Sequence, residues 1–345
     1  MTTIYAAHRH GLLAIHGDDG RWSVTTQLAE QEPQCVAADP AHPERVYCGT
    51  LKEGLWRSDD AGASWQPVGP GIAHPMVMAV AVSALEQANG FGVIYAGTEP
   101  SALYRSEDGG VTWRELPSLL DLPSKSTWAF PPRPYTHHVR WITLDPHEPG
   151  TLYVCIEAGA LVRSFDGGRT WDDRHADTPW DTHKLAAHPA APGRLYSAAG
   201  DGFSQPGRGY NESRDHATSW QRPDEGLRHH YLWSVAVDPG DAETIVVAAS
   251  SSPSAAHNPT AAESHLYRRA AGGPWAEVRA GLPEARGALT YVLATNAAEP
   301  GVFYALGNHG LYRSPDAGVN WQRLDLPWPD HLRFSHPEGL VVVSA

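Results

Sequence analysis

The sequence predicts an all-β chain: a single seven-bladed β-propeller over residues 1–345, built of four-stranded antiparallel blades. Three observations predict it. A short motif ending in Trp recurs at Trp22, Trp65, Trp113, Trp171, Trp220, Trp275 and Trp321, at intervals of roughly 40–60 residues. Each interval carries short alternating runs rich in Val, Tyr and Leu, separated by Gly, Pro and Asp turns, which are strand signals. The two ends are complementary, because the chain starts at a second-strand-like run and finishes on a spare one.

The elements follow in order. The first unit enters at "TIYAAHR" and ends at "GDDGRW". The second reads "CVAADP", "RVYCGT", "GLWRS", then "WQPV"; the fourth reads "WITLDP", "TLYVCIE", "ALVRS", then "WDD". The fifth and sixth end in the degenerate forms "SRDHATSW" and "RAAGGPW", and the seventh reads "YVLATN", "VFYALG", "GLYRS", then "WQRL". Four strands per unit at this period indicate propeller blades. The terminal "HLRFSHPEGLVVVSA" is expected to supply the innermost strand of the first blade, either from Leu332–Phe334 or from Leu340–Ser344. Such closure removes the free sheet edges that invite aggregation.

The recurring motif is Ser-x-Asp-x-Gly-x-x-Trp, best preserved at Ser58–Trp65, Ser106–Trp113, Ser164–Trp171 and Ser314–Trp321. In Ser213–Trp220, Ala217 replaces the Gly. Asp can accept hydrogen bonds from the N–H groups of its own turn, and Gly adopts positive φ without a steric penalty. Trp buries a large ring between sheets, worth roughly 2–3 kcal/mol by area. Asp60, Asp108, Asp166, Asp215 and Asp316 therefore read as structural. The pattern resembles the Asp-box, or BNR repeat, of a propeller superfamily that includes sialidases, other glycosidases, sortilin-like sorting receptors and photosystem assembly factors. The resemblance implies the fold and leaves the activity open. A sialidase is disfavoured: the Arg-Ile-Pro element of sialidases is missing, and they have six blades. Two-propeller xyloglucan hydrolases carry similar boxes, but this chain has the length of one propeller.

Composition narrows the function. The net charge of −13 disfavours nucleic acid and anionic membranes as partners. No run of apolar residues reaches the roughly 18 needed to span a bilayer. The N-terminus lacks a secretory pattern, so a soluble cytoplasmic protein is expected. Three cysteines do not make a disulfide framework.

Strand order puts the Asp-boxes on one face and the connections around the channel mouth on the other. The mouth-side connections include the long Pro117–Arg140, Gly200–Gly209 and Ser250–Ser264 stretches, and long loops in compact folds are often functional. They also hold much of the histidine, as in "THHVRWITL", "DTHKLAA" and "RHHYLWSVA". His138, His183 and His230 could converge as ligands for a divalent metal ion at the mouth, since imidazole suits Zn, Mn, Fe and Cu. Alternatively Glu157, Asp201 and His183 could do acid–base chemistry on a sugar or an anionic molecule, with Glu99 as a further carboxylate. Tyr135, His138, Arg140, Trp180, His229, His230 and Arg286 are the candidate ligand-binding residues. The bland alternative is a polar rim or a protein-contact surface. The expected function is a ligand-binding propeller for a glycan or small polar molecule, with hydrolase or lyase chemistry open. Its rival is a non-enzymatic assembly or interaction propeller with a protein partner.

Overall fold

The computed structural model describes residues 2–18 and 21–344. Two positions of the first motif, Asp19 and Gly20, lie outside the described residues. The strand-like runs pair into seven antiparallel sheets arranged as blades. From the axis outward, blade one is Pro337–Ser344, Thr2–His8, Gly11–Asp18 and Arg21–Gln27. Blades two to seven begin with the innermost strands Pro33–Asp39, Met76–Ala88, Val139–Leu144, Thr182–His188, Tyr231–Asp238 and Val292–Thr295. The open question at the C-terminus is resolved in favour of the later run. Thr3 pairs with Val343 and Tyr5 with Val341, whereas Leu332–Phe334 falls in a 3-10 turn over Asp330–Phe334. In blades four and five the outermost strand shrinks to one bridge each, Arg163 to Asp172 and Glu212 to Gln221. In blade five, Pro223 has no N–H with which to extend the ladder.

The Ser-x-Asp turns are held from within. Ser106 Oγ donates to Asp108 Oδ1 at 2.9 Å and accepts from the Gly110 N–H at 2.9 Å. Asp108 Oδ1 also accepts from the Thr112 N–H. The same set recurs at Asp60, Asp166, Asp215 and Asp316. Ala217 occupies the Gly position at φ 65°, in the left-handed region that costs an L-residue energy. The Trp rings tie neighbours together: Trp113 Nε1 donates to the Val68 carbonyl of blade two, and Trp275 Nε1 to that of Pro223, after blade five. Between blades the sheets share small apolar cores, such as Tyr95, Leu116, Val139 and Leu152 between blades three and four. All three cysteines are free and buried.

One irregularity positions the site. Near the mouth end of the innermost strands the ladder register shifts by a residue, leaving Gln34, Met78, Arg140, His183, Trp233 and Glu338 unpaired in six different blades. Each is buried. A bulge re-aims the side chain it carries. Arg140 of blade four lies over the Trp233 ring of blade six at 4.4 Å, past blade five, so both reach the axis. At the opposite end the channel opens into a cavity of about 460 Å³, lined by apolar residues of all seven blades, from Val36 and Val82 to Ala294 and Leu340.

Candidate functional site

The bulged residues of blades four to six meet a carboxylate from the end of a second strand. Glu157 follows Leu152–Ile156, and its N–H donates to the His138 carbonyl. Its two oxygens face different groups. Oε2 lies 2.9 Å from His138 Nε2 and 3.6 Å from Arg140 Nε, while Oε1 lies 4.0 Å from His183 Nε2. The other nitrogen of His138 faces Glu99 Oε2 at 3.4 Å, and Glu99 is clasped by both arms of Arg133 at 2.8 and 2.6 Å.

Asp181 completes the cluster. Its Oδ1 accepts from the Ala158 N–H at 2.7 Å and lies 3.7 Å from His183 Nε2. Asp201 sits behind it, accepting from the N–H groups of Trp180 and Asp181 at 3.2 and 2.9 Å. His183 Nδ1 is 2.6 Å from the Leu232 carbonyl, which can only accept, so Nδ1 carries the proton and Nε2 the lone pair of the neutral ring.

Charge is distributed unevenly. Burial alone would raise Glu157, but His138 above all, then His183 and Arg140, outweigh it and hold the carboxyl well below the usual range. Burial and the Glu157 charge push Asp181 up to about 7. Burial and Asp181 push Asp201 up to about 6. Burial lowers His183. Glu157 and Asp181 keep a little exposure, 12% and 16% of their side chains. Those oxygens form the accessible floor of the mouth.

A second network runs from this floor to the closing strand. Tyr231 Oη and His257 Nε2 are 2.8 Å apart, His257 Nδ1 and His336 Nε2 are 2.7 Å apart, and His336 Nδ1 is 3.1 Å from Glu338 Oε1. Arg9 Nε donates to the same oxygen at 2.8 Å. The Tyr231 phenol is held protonated by burial, and burial pushes His257 well down. A phenol donating to neutral His257 sets every later proton toward Glu338.

The structure brings together His138, Arg140, Glu157 and His183, with Asp201 one contact behind. It does not bring in the rest. His230 Nδ1 accepts from the Gly207 N–H at 3.4 Å. His229 stacks on His265 at 4.0 Å and bonds Tyr267 in the outer part of blade six. Arg286 forms a backbone β-bridge with Glu263 beside a separate cavity of about 340 Å³. Tyr135 is 86% exposed. Trp180 is half-buried and enters through its backbone only. Asp181, Trp233, His336 and Glu338 were not singled out from sequence. Asp181 starts the "DTHKLAA" stretch, where it reads as an ordinary turn residue. Trp233 and Glu338 reach the axis through bulges, which an alternating reading places on the wrong face.

No protein-family model matches the chain, and no curated protein matches its sequence. Solved structures do resemble it. A GH74 enzyme from Niastella koreensis superposes with a TM-score of 0.69 at 17% identity, over 93% of this chain and 52% of that one. The chain therefore spans about half the length of that enzyme. YCF48 bound to a D1 peptide gives 0.61 at 15% identity, over 95% and 99% of the two chains. The nidogen/laminin complex gives 0.54 at 10% identity, over 99% and 98%. At these identities the likeness is one of fold, shared by a glycosidase and by proteins solved with peptide or protein partners. No helix among the described residues is long and apolar enough to cross a membrane.

Proposed function

We propose that this chain is a ligand-binding propeller whose mouth takes a small hydroxyl-rich molecule of the sugar class. Glu157 carries the reading: His138 and Arg140 hold one of its oxygens, while the other remains a free acceptor beside the Asp181 carboxylate. Two partly exposed carboxylates on a buried floor accept from vicinal hydroxyls, and burial strengthens such bonds. The floor fits a monosaccharide better than a polymer, since only two carboxylate side chains, 12% and 16% exposed, offer themselves there. His183, with Nε2 unprotonated, would be the base for acid–base chemistry on that ligand, because Glu157 is held too strongly ionised to take a proton.

The test is a calorimetric panel of monosaccharides, uronates and polyols against the wild-type chain. A binder is expected whose affinity falls at least about tenfold in Glu157→Gln, the value of a hydrogen bond to a charged acceptor. A panel without a binder, or a binder indifferent to Glu157→Gln, overturns the reading. A protein partner is the second reading, favoured by the exposed Tyr135, Phe203 and Phe334 on mouth-side connections. It predicts a partner lost on Phe203→Ser and Phe334→Ser with the sugar panel negative.

A further inference from the structure

We infer that Glu157, Asp181 and His183 together hold one divalent transition-metal ion of the zinc or manganese class. One donor atom from each lies within 4.8 Å of the others. His183 is 1% exposed, and its Nε2 has no hydrogen-bond partner among the described residues. That lone pair points at two carboxylates, 3.7 Å from Asp181 and 4.0 Å from Glu157. An acceptor nitrogen facing two carboxylates is satisfied by a proton shared with one of them or by a bound cation, and the cation alone engages all three groups at once.

The surroundings fix each donor from behind. The Leu232 carbonyl fixes the tautomer and plane of His183, the Ala158 N–H holds Asp181, and His138 holds the far oxygen of Glu157. Such outer contacts orient metal ligands and set their basicity. Gly200 supplies an independent indication. Its φ of −74° suits any residue, yet a Cβ there would lie 2.1 Å from Asp181 Oδ2 and 2.9 Å from His183 Cε1. The glycine is demanded by space for these two side chains and not by its backbone.

Donor type selects the ion. One imidazole and two carboxylates suit zinc or manganese better than calcium, which prefers oxygen alone. Metal–ligand bonds of about 2.0–2.2 Å put neighbouring donors about 3–3.5 Å apart, so loading requires only modest contraction. His138 is not a ligand here, because both its ring nitrogens already face carboxylates. His230 is not a ligand either, because it is turned to Gly207.

The inference shares its floor with the sugar reading, so its test contains no sugar. The full chain, stripped with EDTA and dialysed, is titrated calorimetrically with zinc chloride and separately with manganese chloride. One equivalent of at least one ion is expected to bind at micromolar concentration or tighter, raising the melting temperature. Asp181→Asn, His183→Ala and Gly200→Ala should each weaken binding at least about tenfold, whereas His230→Ala should bind as wild type. Asp181→Asn keeps the shape and removes a like charge from beside Glu157. Its melting temperature in EDTA, expected to equal or exceed that of wild type, shows that the variant is folded. Wild-type protein without one saturable equivalent below about 1 mM overturns the inference, as does unchanged binding in Asp181→Asn and His183→Ala. A flat metal titration beside a positive sugar panel overturns the metal and leaves the sugar reading standing.

Discussion

Asp166 and Asp181 are the same residue type pushed in opposite directions. Slight burial raises Asp166, but bonds from Thr170 and Ser164 outweigh it and hold the carboxyl at about 2. Asp181 is buried beside Glu157 and rises to about 7. The first serves the turn; the second is kept where ionisation is costly. Asp166→Ala should therefore lower stability by about 1–3 kcal/mol, from its lost turn bonds, with metal and sugar titrations unchanged. Urea denaturation with calorimetry on the same variant checks both halves; a weakened titration would refute the division of labour. The same contrast marks what the residues disclose. His138, His183, Arg140 and Glu157 are legible because they fall at the mouth ends of first and second strands in neighbouring units. Asp181 is not, since one acidic residue before a strand is indistinguishable from a turn residue until Gly200 and His183 are seen against it.

At the scale of the element, the closing strand Pro337–Ser344 does more than seal the ring. Its bulge turns Glu338 inward, where His336 and Arg9 meet it. Burial alone would raise that carboxyl, but these partners outweigh it and hold it at about 2 against an ordinary 4.5. The folded pKa is depressed. The stabilisation is thus complete above about 4.5 and is lost as pH falls through about 2. The shift corresponds to roughly 3 kcal/mol at neutral pH. Glu338→Gln should lose about that much at pH 7 and show a flatter decline in stability between pH 5 and pH 2. Urea midpoints across that range measure it, and parallel curves for variant and wild type would refute it. The strand itself is legible from its apolar run, but its bulge is not. A register shift depends on the partner Thr2–His8, which lies at the far end of the chain.

The whole molecule is the most legible level, because a repeat written seven times constrains topology more than any single strand does. Trp113 and Trp275 reach back to Val68 and Pro223, so the motif that marks the period also builds the contact between blades. What the repeat hides is the axis, where each unit contributes a different bulged side chain. There Lys184 of blade five crosses the channel, donating to the Leu293 carbonyl of blade seven with its ammonium near the Trp141 ring. It separates the polar mouth from the apolar cavity below. Burial first, then the Arg140 charge, lower its pKa to about 7 against an ordinary 10.5. Between those values the unfolded chain binds more protons than the folded one, so this group makes the protein more stable as pH rises from 7 toward 10. Lys184→Met should consequently melt higher than wild type at pH 7 by a few degrees, with the advantage shrinking as pH approaches 10. Melting curves at the two pH values decide it. A variant destabilised at both would mean that the bond to Leu293, as a strut between blades five and seven, outweighs the cost of a charge held at the axis.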